Sequence, residues 1–245
     1  MNTQEKQTQI IDMFNQIAPS YDKANRVMSL GIDISWRKEA CKVAFEALGS
    51  KRCLRLVDVA CGTGDMLLHW QNEARSLGCE LGEIVGIDPS EGMLEVARQK
   101  LAHELDSDIL HLQKGEAKAL GLESSSVEIL SIAYGLRNVV ELDKALEEFA
   151  RVLKSGGILV ILDFFNNSST SLLDRAMRFY TRRILPYVGG FISKNYAAYK
   201  YLPNSIEGFV SNDELKSKLE SLGISCHVLK GYSANISTLY VGVKQ

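Results

Sequence analysis

The chain predicts an α/β protein: a seven-stranded, mostly parallel sheet with helices on both faces. Three observations point there. Short β-rich apolar runs alternate with longer segments of helical period. A buried run, Val57-Asp58-Val59, passes directly into a glycine turn, Cys61-Gly62-Thr63-Gly64, and then into a helix. The 245 residues, 46% hydrophobic and 24% charged, can bury a sizeable core and are not those of a disordered chain.

Taken in order, Leu54 to Val59 reads as the first strand and Asp65 to Leu77 as the helix after it. Ile84 to Ile87 gives a second strand ending in Asp88-Pro89-Ser90, and Met93, Leu94, Ala97 and Leu101 then repeat at helical spacing, with Ser90 as their cap. Buried strands are expected at Ile109 to Leu112, Val127 to Ala133 and Ile158 to Leu162. A helix over Leu142 to Leu153 precedes a turn at Ser155-Gly156-Gly157. Asn212 to Leu222 reads as helical, and Ser225 to Leu229 with Ile236 to Val243 as a closing pair of strands that breaks pure parallelism.

Four segments follow. Residues 1–50 form an N-terminal helical cap, with helices around Met13 to Ile17 and Trp36 to Leu48, and 51–163 form the sheet core. Residues 164–210 are a helical insert, and 211–245 supply the last helix and the closing strands. The insert holds more than half of the chain's aromatic side chains. It also carries Arg175, Arg178, Arg182, Arg183, Lys194 and Lys200 against only Asp174 and Glu207. By composition alone this is an ordinary helical hairpin with solvated arginines.

With 28 basic and 30 acidic side chains the net charge is −2, so no global field attracts nucleic acid. The five cysteines form no Cys-x-x-Cys pair and are odd in number, and the four histidines are scattered. Reduced thiols and no metal site are expected. No apolar run is long enough for a membrane span, and Met1 to Asp12 lacks the apolar core of a signal peptide, so a cytoplasmic protein is expected.

The chemistry is concentrated at the glycine turn. Gly62 and Gly64 let the backbone pass close under a ligand at the carboxyl end of the first strand, where open α/β sheets bind nucleotides. A dinucleotide site would want a third glycine for a pyrophosphate on the helix amino terminus, but none follows and Asp65 puts a negative charge there. A ligand with a cationic centre and no phosphate fits better, and S-adenosylmethionine has a sulfonium, an ammonium and a ribose diol. Asp88 would then accept the ribose hydroxyls, Glu116-Ala117 would reach the adenine edge, and Met93 would pack on a ring face. Asp88 also reads as a helix-start aspartate and Met93 as core.

The Gly62-Thr63-Gly64-Asp65 turn, the Asp88-x-Ser90-x-x-Met93-Leu94 run and Arg151-Val152-Leu153-Lys154-x-Gly156-Gly157 resemble a Rossmann-like class I S-adenosylmethionine-dependent methyltransferase. Tyr134-Gly135-Leu136-Arg137-Asn138-Val139, Ala18-x-x-Tyr21-Asp22, Asn25-x-x-Met28-Ser29-x-Gly31 and Tyr199-x-Tyr201-Leu202-x-x-Ser205-Ile206 resemble the UbiE/MenG quinone C-methyltransferases more specifically. The resemblance spans Phe14 to the carboxyl terminus. It departs at Glu116, where the family commonly has Asn or Asp, at Ala133, where it has Ser, and at Gly121-Leu122, where it has Pro-Phe. Ala133 can offer only its backbone.

The resemblance implies C-methylation of a reduced polyprenyl quinol in menaquinone or ubiquinone biosynthesis, most directly demethylmenaquinol to menaquinol. It implies a cofactor site of Gly62, Thr63, Gly64, Asp88, Met93, Glu116, Ala117 and Ala133, and a catalytic set of Arg137, Asn138 and Tyr21. An arginine is a poor base, so Arg137 is expected to stabilise a quinolate or polarise a water. The insert would close over the quinol, with Phe179, Tyr180 and Phe191 lining a tunnel for the tail and the arginines facing lipid headgroups. A peripheral membrane surface is the expected partner, and a homodimer is compatible with the sequence. Two other readings remain at this point: a methyltransferase of another small molecule or RNA, and a non-enzymatic quinol-binding scaffold.

Overall fold

The computed structural model describes residues 2–106, 108–166, 180–193, 195–233 and 235–245. Three helices come first. α1 (Thr3–Ile17) opens on a capping box, in which the Asn2 side chain accepts from the Glu5 N–H and Glu5 accepts from the Asn2 N–H. A short turn, Ala18–Ser20, leads into α2 (Tyr21–Ser29), which stops at Leu30 and Gly31 in the left-handed region, with φ of 52° and 76°. α3 (Ile32–Leu48) follows. The sequence reading lacks α2, whose only buried residues are Ala24 and Met28.

The sheet is built from β1 (Arg52–Val59), β2 (Glu80–Asp88), β3 (Leu110–Lys114), β4 (Val127–Ala133), β5 (Leu153–Asp163), β6 (Ile224–Tyr232) and β7 (Ser237–Lys244), in the order β3-β2-β1-β4-β5-β7-β6. All neighbours are parallel except β7, which inserts antiparallel between β5 and β6. Between them run α4 (Asp65–Leu77), α5 (Glu91–Lys100), α6 (Ala102–Leu105) and α7 (Leu142–Val152), then α8 (Leu185–Ser193), α9 (Tyr196–Glu207) and α10 (Asn212–Ser221). α4 matches its expected span. The turn expected at Ser155-Gly156-Gly157 is a bulge within β5: Leu153 pairs with Val127 and Ile158 with Ile129, so the loop protrudes without ending the strand.

Helices cover both faces. α3, α4 and α5 bury Phe45, Trp70 and Leu94 on one side, and α7 and α10 bury Phe149 and Leu215 on the other. α3 thus packs directly on the sheet. A third cluster, Ile17, Ala24, Met28, Met93, Ala198 and Tyr199, joins the N-terminal helices to α5 and α9. It sits above the carboxyl ends of the strands.

Candidate active site

The glycine turn takes its shape from backbone strain. Ala60, directly after β1, has a φ of 51°, an unfavourable value for a residue with a Cβ, and Gly62 and Gly64 follow at 56° and 84°. The two glycines serve different ends. A Cβ on Gly64 would lie 2.5 Å from Leu101 Cδ1, so Gly64 permits helix packing, whereas a Cβ on Gly62 would meet nothing within 4 Å. The open side of Gly62 faces a cleft lined also by Asp88, Met93, Glu116, Ala117, Ala133 and Asn138. Thr63 and Gly64 lie behind it, with the Thr63 hydroxyl donating to Asp22.

Asp88 ends β2, where its two carboxylate oxygens accept from the Gly62 and Ser90 N–H groups, each at 2.8 Å. Burial pushes its carboxyl up to about 6 against those bonds. Each oxygen keeps an acceptor site for a ribose hydroxyl. Ser90 caps α5 by accepting from the Met93 N–H, as the sequence predicts. Glu116 sits at the cleft's far side beside Lys118, 3.4 Å away. The charge expected at Asp65 is spoken for. Burial opposes ionisation there, but Lys100, Arg37 and Arg26 together outweigh it and hold the carboxyl below its usual range. The same cations pair with Asp22 and Asp33, which fastens α2 and α3 to the glycine turn.

Beside the cleft lies a larger, mainly apolar chamber of about 410 Å³, walled by α1, α2, α3, α9 and the segment after β4. The two cavities share Phe14, Tyr21, Tyr134 and Asn138. Tyr134, like Ala60, adopts a positive φ, 60°, directly after its strand. Gly135 permits the close approach of these two chains, since a Cβ there would stand 2.5 Å from that of Ala60.

Arg137, Asn138 and Tyr21 come together at this junction. The Arg137 guanidinium lines the chamber and lies 5.1 Å from the Phe164 ring centre, its Nη1 donating to Asp163 and to the Tyr134 carbonyl. The Asn138 Oδ1 is buried with no hydrogen-bond partner among the described residues, which leaves an acceptor free at the junction. Burial pushes the Tyr21 phenol up, while nearby Arg137 and Asn25 pull it down.

Asp163 and Arg37, both at this junction, are absent from the sequence reading. So are Gln7, Ile10 and Ile11 of α1, which roof the cleft. An acid at a strand's carboxyl end was a readable signal for Asp163. In the insert, Tyr180 lines the chamber and donates to the Met28 carbonyl at 3.0 Å. Phe191 does not line it: 88% exposed, it points away because α8 turns Gly189 and Gly190 inward against Tyr199 and Tyr196. Phe179, Asp174, Arg175, Arg178, Lys194 and the side chain of Arg182 lie outside the described residues.

The family model for the ubiE/COQ5 methyltransferase family matches residues 2–244. The chain belongs to that family. It is a methyltransferase, and its cofactor is S-adenosylmethionine. It is 48% identical over 240 residues to the ubiquinone/menaquinone biosynthesis C-methyltransferase UbiE of Campylobacter jejuni, covering 98% of this chain and 99% of that one. It is 33% identical over 243 residues to the demethylmenaquinone methyltransferase of Bacteroides fragilis, covering 99% and 95%. Among solved structures, a SAM-dependent methyltransferase of Thermotoga maritima, described as a possible histamine N-methyltransferase, superposes with a TM-score of 0.62. At 20% identity, covering 96% of this chain and all of that one, it shares the fold.

The cleft fits the cofactor on its own chemistry. Asp88 has acceptor capacity to spare, the side of Gly62 is open, and Met93 presents a buried apolar face. Among the described residues no cluster of His, Cys, Asp and Glu could hold a metal.

Proposed function

We propose that the chain transfers a methyl group to a ring carbon of a reduced polyprenyl quinol, converting demethylmenaquinol to menaquinol. One observation carries this reading: the cofactor cleft and an apolar chamber large enough for a substituted aromatic ring share a wall of Phe14, Tyr21, Tyr134 and Asn138. A ring held in the chamber meets the cleft at that wall, which supplies the alignment that dominates such a transfer.

When bound, S-adenosylmethionine supplies an electrophilic methyl group on a sulfonium. The residues must hold the ring, stabilise the charge that develops on its oxygen, and leave a route for the ring proton. Asn138 Oδ1 is placed to accept from the ring hydroxyl. Arg137, paired with Asp163, favours ionisation of that hydroxyl, whose proton passes to water; the quinolate's electron density then forms the new carbon–carbon bond, and the ring proton leaves afterwards to restore aromaticity. Tyr21 stays protonated and acts as a donor from the other wall.

The chamber mouth fits a long apolar tail arriving from a bilayer. Leu30 and Ile32 line the chamber yet are 83% and 45% exposed, and Ile184, Tyr187 and Phe191 are exposed on the insert with Arg183. No described helix is long and apolar enough to cross a membrane, and the contact proposed at these side chains is a peripheral one. Phe191 thereby takes a role at the surface in place of the tunnel.

The test is product analysis. Incubation with methyl-labelled S-adenosylmethionine and a short-tailed demethylnaphthoquinol should put the label on a ring carbon. Label on an oxygen, or none on any quinol, would overturn the reading.

A further inference from the structure

Arg37, on α3, is a second guanidinium in the chamber wall, and its Nε has no hydrogen-bond partner among the described residues. It is 7% exposed, and its Cζ lies 5.0 Å from the Tyr134 ring centre. Its ion-pair partner, Asp33, stands 3.5 Å from Nε, too far for a good hydrogen bond. That carboxylate already accepts from Arg26 Nη1 at 2.9 and 2.8 Å and from the Ser29 hydroxyl at 2.6 Å. Arg37 Nε is buried without a hydrogen-bond partner among the described residues. A guanidinium in an apolar chamber whose buried Nε donates to none of the described residues carries a desolvation cost that a ligand oxygen would offset. Arg137 Nε is likewise buried without a partner among the described residues, but its Nη1 is committed to Asp163 and to the Tyr134 carbonyl at 2.6 Å.

We propose that Arg37 binds the second oxygen of the substrate ring, para to the one held at Arg137 and Asn138, and so makes the chamber selective for a para-dioxygenated aromatic. The inference rests on the quinol reading of the site. Tyr134 holds the two guanidiniums apart, one over its ring face and the other on its carbonyl oxygen. A ring placed between them has a cation for each oxygen. Asp33 and Arg26 set the Arg37 side of the chamber and need not touch the ligand.

The experiment compares a short-tailed naphthalene-1,4-diol with the matching naphthol that keeps only the hydroxyl next to the reacting carbon, both under reducing conditions. KM is the readout, because ring electronics act chiefly on kcat. The wild type should show a KM for the diol at least about tenfold lower, the worth of one hydrogen bond to a charged group. Arg37→Gln should shrink that ratio to about twofold or less by raising the diol KM alone, and Arg37→Lys should keep part of it. Calorimetry with S-adenosylhomocysteine checks that each variant is folded. Equal KM values in the wild type, a comparison that needs no variant, would overturn the role of Arg37 and leave the quinol reading intact. An undiminished ratio in a cofactor-binding Arg37→Gln would also overturn it. Turnover of neither compound by the wild type would instead overturn the quinol reading on which the inference stands.

Discussion

Arg137 and Asp163 form an ion pair sealed inside the protein, with Nη1 2.5 Å from Oδ1 and side-chain exposures of 7% and 0%. The same carboxylate accepts from the Arg137 and Phe164 backbone N–H groups, at 3.1 and 2.8 Å. The end of β5 therefore fixes both the backbone and the side chain of the residue proposed to face the quinol. A cation held this way costs no reorganisation when negative charge appears on the ring.

Asp163→Asn keeps the shape but only one acceptor oxygen, so either the Arg137 or the Phe164 N–H loses its partner and the guanidinium is loosened. Its kcat should fall at least about tenfold with cofactor affinity unchanged. Asp163→Ala should also lower stability by about 3 to 5 kcal/mol, because it leaves a buried cation unpaired. Steady-state kinetics and thermal melts check both, and a normal kcat in Asp163→Asn would remove the positioning role.

Asp88 links cofactor binding to pH. Its free carboxyl is pushed up to about 6, and the charged form is the better acceptor for two ribose hydroxyls, so affinity should weaken as pH drops through about 6. Stability of the free protein moves the other way. A raised folded pKa favours the native state below about 4, the unfolded value, and that contribution is lost as pH rises through about 6. In Asp88→Asn the pH dependence of binding near 6 should vanish, and Asp88→Ala should weaken binding by about 1.5 to 3 kcal/mol per bond lost. Calorimetry from pH 5 to 8 reads this, and unchanged affinity in Asp88→Ala would contradict the ribose assignment.

The two glycines of the turn should separate stability from binding. Gly64→Ala drives a Cβ into Leu101 at a φ of 84° and should cost about 1 to 3 kcal/mol of stability. Gly62→Ala has room in the free protein, so its melting point should fall less while cofactor affinity falls more, its Cβ standing at the cleft. Equal losses of stability in the two variants would mean that Gly62 is needed only for the turn.

These contrasts show what local sequence carries. α4 is bounded by Gly64 and Gly78, both in the left-handed region, so its ends are written in adjacent residues. The cofactor side is legible for the same reason: Gly62 and Asp88 sit at strand ends that apolar runs announce. α2 is different, because it is held by Tyr180 and by α8, some 150 residues on, and by ions on Lys100 and Asp65. Arg37 is hidden likewise, since its neighbour Tyr134 comes from the far end of β4. Phe191 fails in the opposite sense: aromatic content marks the insert, but the buried glycines of α8 decide which way the ring points.

Vesicle binding tests the chamber mouth. Replacing Leu30 and Phe191 with Ser should reduce co-sedimentation with anionic vesicles, and Arg183→Gln should make the remainder less salt-sensitive, each basic residue near such a surface being worth about 1 kcal/mol. Turnover of a short-tailed, soluble quinol should survive all three changes. Binding indifferent to these changes and to salt would place the membrane contact elsewhere.

The most direct test of the account is methyl transfer to one naphthoquinone presented oxidised or reduced, by the wild type and by Arg137→Gln. In the oxidised ring two carbonyls withdraw electron density and the carbon cannot attack a sulfonium, whereas reduction restores hydroxyls whose ionisation pushes density onto it. The account predicts ring methylation of the reduced form only, lost in an Arg137→Gln variant that still binds S-adenosylhomocysteine as the wild type does. Methylation of the oxidised quinone, or near-normal turnover in that variant, would contradict it.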